Sequence, residues 1–172
     1  MFRKKCSPFI YFVIFIGFLL GCEVAFADST LTNGTKFGDW VFECVALAPS
    51  KTNCVLSQTI VAKENNQQLA KFNILRQPGA KQLSMLVLVP LGIDFQTPIT
   101  LSIDKGSNFN FRLDTCIQNG CVGTILLDDK LILALKSDLP FNLSFKFKDA
   151  KDPTIINGSL TGLSEGLKTT NL

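Results

Sequence analysis

A strict alternation of apolar and polar side chains in several short segments constrains the fold most. Phe141 to Lys148 alternates without error, and so does Phe109 to Asp114. Successive side chains of a β-strand point to opposite faces, so this period is typical of half-buried strands with one face in solvent. Leu86 to Val89 is apolar throughout and predicts a strand covered on both faces.

Other segments have the composition of strands and are mostly separated by Gly, Pro, Asn or Asp. A series of short strands and turns predicts an antiparallel sandwich or barrel. Two short helices are also predicted, one after Asp128-Asp129, whose acidic side chains suit a helix start, and one over Leu163–Thr169. The further predicted strands are Trp40–Ala46, Cys54–Ala62, Leu69–Arg76, Ile99–Ile103, Cys121–Leu127 and Thr154–Leu160.

The first 27 residues predict a secretory signal peptide. Three basic residues, Arg3 to Lys5, precede an apolar run from Pro8 to Leu20, and Ala25-Phe26-Ala27 offers a small-x-small cleavage site. Cleavage after Ala27 is the favoured interpretation. The alternative is that Leu19-Leu20-Gly21-Cys22 is a lipobox, in which case Cys22 would be lipidated and the protein would be an outer-membrane lipoprotein.

The remaining chain predicts one domain without a nucleic-acid partner. Residues 28–36 are small and polar and predict a flexible lead-in, and residues 37–172 form the domain. Removing the signal leaves 14 of 17 basic and 13 of 14 acidic residues, a net charge of +1. No cluster of Lys and Arg or stripe of aromatic and basic residues remains to bind nucleic acid.

Four cysteines remain after the signal, and an even number behind an export signal predicts disulfides formed in an oxidising compartment. Four cysteines can pair in three ways. The favoured pairing is Cys44–Cys54 and Cys116–Cys121, because each pair brackets a turn-like stretch. A zinc or thioredoxin-like site is disfavoured, since the cysteine spacings do not fit and the chain has no histidine. No metal or cofactor is predicted.

The alternation also predicts where particular side chains point. Phe109, Phe111 and Leu113 share a face, which places Cys116 on the opposite, polar face. The second disulfide is therefore expected to clip its hairpin from outside the core. Trp40 is in register with Phe42 at the start of a strand and is predicted to be a core residue.

Catalytic residues are not predicted. The absence of histidine excludes Ser-His, Cys-His and His-metal mechanisms, and the disulfides leave no free thiol. The carboxylates lie mostly beside turns or at strand ends, where acids serve solubility and turn bonding. A hydrolase that uses paired carboxylates stays open as an alternative. The acids considered are Asp39, Glu43, Asp94, Asp104 and Asp114.

Four landmarks in order resemble the invasion-associated locus B family of bacterial exported proteins, over nearly all of Phe37 to Lys168. Leu163 stands where the family pattern has an aromatic residue after Ser-Leu-x-Gly. The landmarks are Phe37-Gly38-Asp39-Trp40; Val89-Pro90-Leu91-Gly92 with Leu101-Ser102-Ile103-Asp104; Cys116 with Gly120-Cys121; and Ser159-Leu160-Thr161-Gly162-Leu163.

The resemblance implies an immunoglobulin-like β-sandwich, export to the bacterial envelope or beyond, and an association with entry into host cells. We therefore expect a non-enzymatic binding module with a protein partner in the envelope or on a host cell. The alternative is a periplasmic structural or assembly factor. The candidate contact residues are Lys51, Gln118 and Asn119, on loops held by the predicted disulfides. Membrane attachment is expected only if Cys22 is lipidated.

Overall fold

The computed structural model describes residues 31–48, 51–103, 106–137 and 139–172. The predicted signal peptide, its cleavage site and the alternative lipidation at Cys22 lie outside these residues. The fold is the predicted antiparallel β-sandwich with two short helices. Within the described ranges, neither helix is long or apolar enough to cross a membrane.

The larger sheet has seven strands in the order β1-β2-β3-β4-β5-β9-β8. Neighbours along most of it are also consecutive in the chain, so it is built mainly from antiparallel hairpins. Its strands are β1 (Lys36–Phe37), β2 (Trp40–Ala48), β3 (Lys51–Val61), β4 (Gln68–Arg76), β5 (Leu83–Val89), β8 (Leu113–Ile117) and β9 (Gly120–Leu126).

The smaller sheet has four strands in the order β11-β10-β6-β7, all antiparallel. It faces the larger sheet, as the edge-to-face contact between Phe72 of β4 and Phe141 of β10 shows, with ring centroids 4.9 Å apart. Its strands are β6 (Ile99–Ile103), β7 (Ser107–Phe111), β10 (Pro140–Phe145) and β11 (Thr154–Ser159).

Both predicted helices are present. The first, α1 (Asp129–Leu135), starts where the Asp128 carboxylate accepts a hydrogen bond from the backbone N–H of Leu131 at 2.8 Å. The second, α2 (Leu163–Thr170), packs against β1, β2 and β3 and buries Leu163, Gly166 and Leu167. It therefore covers the larger sheet at its β1–β3 side.

The prediction of one strand over Phe109–Asp114 is wrong. The chain leaves β7 in the smaller sheet at Arg112 and enters β8 in the larger sheet at Leu113. Alternation continues through this crossing because the two strands each keep one face toward the same core. The period of two thus shows which side chains point inward and not which sheet they belong to.

Two other expectations need adjustment. Leu86 and Leu88 of β5 are only half-buried, because they point away from the smaller sheet, so the predicted cover on both faces is wrong. The predicted lead-in is partly hydrogen-bonded to β2: Gly34 N–H donates to the carbonyl of Phe42 at 2.8 Å, and Cys44 N–H donates to Asn33 Oδ1 at 2.8 Å.

Candidate functional site

The first and last sequence landmarks lie against each other and close one end of the sandwich. The turn before Trp40 meets the segment that leaves β11, and Asp39 N–H donates to the carbonyl of Thr161 at 3.1 Å. Gly38 and Gly162 have φ values of 54° and 82°, and a Cβ on either would collide with the opposite backbone. We call this contact between Phe37–Trp40 and Ser159–Gly162 the closing junction.

Trp40 is a core residue, as predicted, with no exposed surface. Its indole Nε1 donates to the carbonyl of Ser159 at 2.9 Å, which satisfies its polar atom inside the core. Gln58, which is 5% exposed, also reaches Ser159: its Nε2 donates to the carbonyl at 2.8 Å, and its Oε1 accepts from the N–H at 3.1 Å. Trp40 and Gln58 of the larger sheet therefore both bind Ser159 of the smaller sheet and join the two sheets.

The other two landmarks also meet. Gly120, at the start of β9, approaches the backbone of β5 so closely that an added Cβ would collide with the carbonyl oxygen of Val89. Val89 and Cys121 are paired residues of β5 and β9. The turn that follows Val89 and the β8–β9 hairpin therefore leave the same end of the larger sheet.

Both disulfides have the predicted pairing and join directly opposed residues of adjacent antiparallel strands. Their Cα atoms are 4.1 Å apart in Cys44–Cys54 and 3.9 Å apart in Cys116–Cys121. The prediction that the Cys116–Cys121 disulfide lies outside the core is wrong for one of its two cysteines. Cys116 is exposed, but Cys121 is 1% exposed, because β9 lies inside the sheet between β5 and the edge strand β8.

The structure separates the predicted contact residues into two groups. Gln118 and Asn119 form the exposed two-residue tip of the β8–β9 hairpin, while Lys51 begins β3. Pro49, Ser50 and the Lys51 side chain lie outside the described residues. The strand directions put the β2–β3 turn and the β8–β9 turn at opposite ends of the larger sheet. A small partner can therefore contact only one group.

The sequence places Ile117 in the candidate loop Ile117–Gly120 but does not single it out as a contact residue, and it does not indicate the exposed apolar residues Leu91 and Phe95. Ile117 is 53% exposed at the last position of β8. Leu91 and Phe95, in the connection after β5, are exposed to about the same extent. The available signal was an isoleucine placed directly beside the turn residues Gln118 and Asn119. We call Ile117, Gln118 and Asn119 the hairpin-tip surface.

The carboxylates considered from the sequence have separate structural contacts. Asp114 accepts a hydrogen bond from Thr124 Oγ1 at 2.6 Å, and Glu43 forms a 3.1 Å salt bridge with Lys71. Asp39 is exposed at the closing junction, and Asp104 lies outside the described residues. In the part of the chain that the structure describes, no three His, Cys, Asp or Glu side chains are grouped to hold a metal ion.

Asp94 organises the loop between β5 and β6. Its carboxylate accepts hydrogen bonds from the Gln96 N–H at 2.9 Å and from Thr97 Oγ1 at 2.7 Å. Both bonds lower the pKa of Asp94 below its ordinary value, and the bond from Gln96 has the largest effect. The positive charges of Lys146 and Lys148 act in the same direction. This is the pattern of an Asx turn and gives the carboxylate a structural role.

Comparison with known proteins gives consistent matches. A family model described as "Invasion associated locus B (IalB) protein" matches residues 40–171. Invasion protein B of Bartonella bacilliformis is 26% identical over 148 residues, which are 81% of this chain and 78% of that protein. An Invasion protein B homolog of Brucella abortus (strain 2308) is 26% identical over 131 residues, covering 76% and 75% of the two chains.

The fold is also similar to a solved structure. The crystal structure of invasion associated protein B from Bartonella henselae superimposes with a TM-score of 0.70 over 80% of this chain and 94% of that chain. Sequence identity in this comparison is 21%, so the match supports the sandwich architecture alone.

Proposed function

Because this chain belongs to the invasion associated locus B (IalB) family, we propose that it is an exported, non-enzymatic binding protein that acts through a protein partner. The partner lies in the bacterial envelope or on a host cell. The names of the relatives connect those proteins with invasion, and we extend that role to this chain. The two disulfides suit an oxidising compartment such as the periplasm or the cell exterior.

The observation that carries the proposal is the form of the hairpin-tip surface. Cys116–Cys121 joins the two strands directly below a two-residue turn, so the tip is already ordered before any partner arrives. A preformed loop loses less conformational entropy on binding than a free one. The tip combines the exposed apolar side chain of Ile117 with the amides of Gln118 and Asn119, which can donate and accept hydrogen bonds.

The carboxylates support a binding role over hydrolysis. Asp94 and Asp114 accept hydrogen bonds from neighbouring side chains, and Glu43 is paired with Lys71. These contacts have the geometry of turn and cross-strand stabilisation. A hydrolase would be indicated instead if the purified protein turned over a substrate and Asp94→Asn abolished that turnover.

The experiment is capture of the partner by crosslinking in the native cells, comparing the wild type with Ile117→Ser and with the double variant Gln118→Ala/Asn119→Ala. Truncating residues at the centre of an interface removes most of its affinity, so each variant should lose the captured partner. The matched control is Ile155→Ser: Ile155 is 60% exposed, on the edge strand β11 of the smaller sheet, and its loss should leave capture unchanged.

The same experiment separates the proposal from its alternative. Exposure of the protein on intact cells and capture of a host-cell protein favour a role in invasion. A periplasmic pool that captures only envelope proteins favours a structural or assembly factor. Capture that survives all three hairpin substitutions and is lost with Lys51→Ala would move the binding site to the opposite end of the sheet.

A further inference from the structure

A cavity of about 780 Å³ opens at the end of the larger sheet opposite the hairpin-tip surface. It lies where the end of β4, the start of β5, α1 and the C-terminal half of α2 come together. Its volume is within the range of about 300–1,000 Å³ found for small-molecule sites. No sequence pattern indicates this cavity, because its lining residues are spread along the chain from Arg76 to Leu172.

The floor of the cavity is apolar and continuous with the core. Leu83, Leu127 and Leu167 line it and are all buried members of the core cluster. Ile132 of α1, partly buried, forms a side of it. Water in contact with such a floor is readily displaced by hydrocarbon, so the floor favours an apolar ligand group.

The rim is cationic. Arg76 ends β4, Lys81 lies in the β4–β5 turn, Lys136 caps the C-terminus of α1, and Lys168 is in the last turn of α2. Within the described ranges, none of these four side chains forms a salt bridge. The Arg76 guanidinium donates to the carbonyl of Lys81, which holds it across the turn.

Two acids also line the cavity, and they do not cancel the rim. Asp128 directs its carboxylate to the Leu131 N–H as the N-cap of α1, and Asp129 is exposed in the first turn. Four cationic and two anionic side chains leave an excess of two positive charges. An apolar floor beneath a cationic rim is complementary to a molecule with a hydrocarbon body and an anionic head.

From this arrangement we propose that the cavity binds a single-chain anionic amphiphile, with its hydrocarbon chain on the leucine floor and its carboxylate or phosphate at the lysines. This site is separate from the hairpin-tip surface, at the other end of the sheet. The proposal is therefore independent of the proposed partner, and loss of either binding activity can be observed without loss of the other.

The test is a titration of the full exported protein with dodecanoate at concentrations below those at which dodecanoate forms micelles. Binding is monitored by calorimetry and by the NMR signals of leucine and isoleucine methyl groups. We expect saturable binding that shifts the methyl signals of Leu83, Leu127, Ile132 and Leu167. Dodecyltrimethylammonium, which has the same chain and the opposite charge, should not bind. Lysophosphatidate should also bind, and the tighter of the two anions identifies the preferred head group.

The lysines are tested with Lys136→Gln/Lys168→Gln, which should weaken dodecanoate binding about tenfold by removing two charge interactions. The control is Lys148→Gln/Lys151→Gln, which removes the same charge from exposed residues outside the cavity and should bind like the wild type. Equal binding of the cationic amphiphile, methyl shifts confined to other regions, or equal affinity of the two double variants would overturn the proposal. So would the absence of binding below the micelle concentration.

Discussion

The side-chain amide of Gln58 pairs with both backbone groups of Ser159, as a neighbouring strand would, at 2.8 Å and 3.1 Å. Gln58 belongs to β3 of the larger sheet and Ser159 ends β11, an edge strand of the smaller one. The Gln58 side chain thus pairs with the edge of one sheet from within the other, and Trp40 Nε1 donates to the same Ser159 carbonyl. The pair should contribute to stability well beyond an ordinary surface contact.

Replacing Gln58 with Met keeps the side-chain volume and removes both hydrogen bonds to Ser159, together with a longer one of 3.5 Å from Nε2 to the carbonyl of Asp39. The partly buried N–H of Ser159 would lose the partner it has in Gln58, and leaving a buried group unsatisfied costs about 1–3 kcal/mol. We expect the free energy of unfolding, measured by urea denaturation, to fall by roughly 2 kcal/mol. A change below about 0.5 kcal/mol, the range of ordinary surface substitutions, would show that the pair adds little.

Gly162→Ala and Gly34→Ala form a matched test of the closing junction. Both glycines have a positive φ, 82° and 89°, so alanine is strained at each by roughly 1–2 kcal/mol. A Cβ at Gly34 would have no atom within 4 Å, whereas one at Gly162 would collide with the backbone of Phe37. The free energy of unfolding should therefore fall by clearly more in Gly162→Ala, and equal losses would mean that the junction yields easily.

The two halves of the second disulfide should respond differently to substitution. Removing this disulfide should lower the free energy of unfolding by about 2 kcal/mol in the chain-entropy model. Because Cys116 is exposed, the serine in Cys116→Ser should add little to that loss. In Cys116→Ser/Cys121→Ser, a hydroxyl also enters a position that is 1% exposed, which adds a further loss. The measurement is thermal unfolding, under oxidising conditions, of Cys116→Ser/Cys121→Ser and of Cys116→Ser/Cys121→Ala. The variant with alanine at position 121 should be the more stable.

Asp94 should make the loop between β5 and β6 sensitive to acid. Its pKa is lowered from 3.8 by the bonds from Gln96 and Thr97, so the folded state binds its proton more weakly than the unfolded chain does. The resulting stabilisation is complete above pH 3.8 and is lost as the pH falls through the lower, folded pKa. Carboxyl NMR titration should give this lower pKa, and Asp94→Asn should remove its share of the acid sensitivity.

The strands and helices could be read from the sequence because their signals are local. Ile99–Ile103 was predicted with the bounds of β6, and the acidic N-cap before α1 is Asp128. The crossing at Arg112 could not be read, since alternation is the same in both sheets. Gln58 did carry a signal, a polar residue at an inward position between Leu56 and Ile60, yet its partner lies 101 residues away.

The candidate sites were harder to predict for the same reason. The sequence identified Ile117–Gly120 as a turn bracketed by a disulfide, from its Asn-Gly pair, and this signal depends only on neighbours in the chain. The cavity depends on Arg76, Lys136 and Lys168 converging from three elements, and no spacing rule connects them. Long-range convergence of this kind is a property of the packed sheets and helices rather than of any segment.

The closing junction has a consequence for the order in which the chain matures. Trp40 and the carbonyl of Ser159 are 119 residues apart in sequence, so the Trp40 indole has this hydrogen-bond partner only after β11 has emerged. Contacts between such distant residues form late and slow the folding reaction. If the chain is exported as proposed, this order of contacts suits threading across a membrane, because the closing junction can form only once Ser159 has followed Trp40.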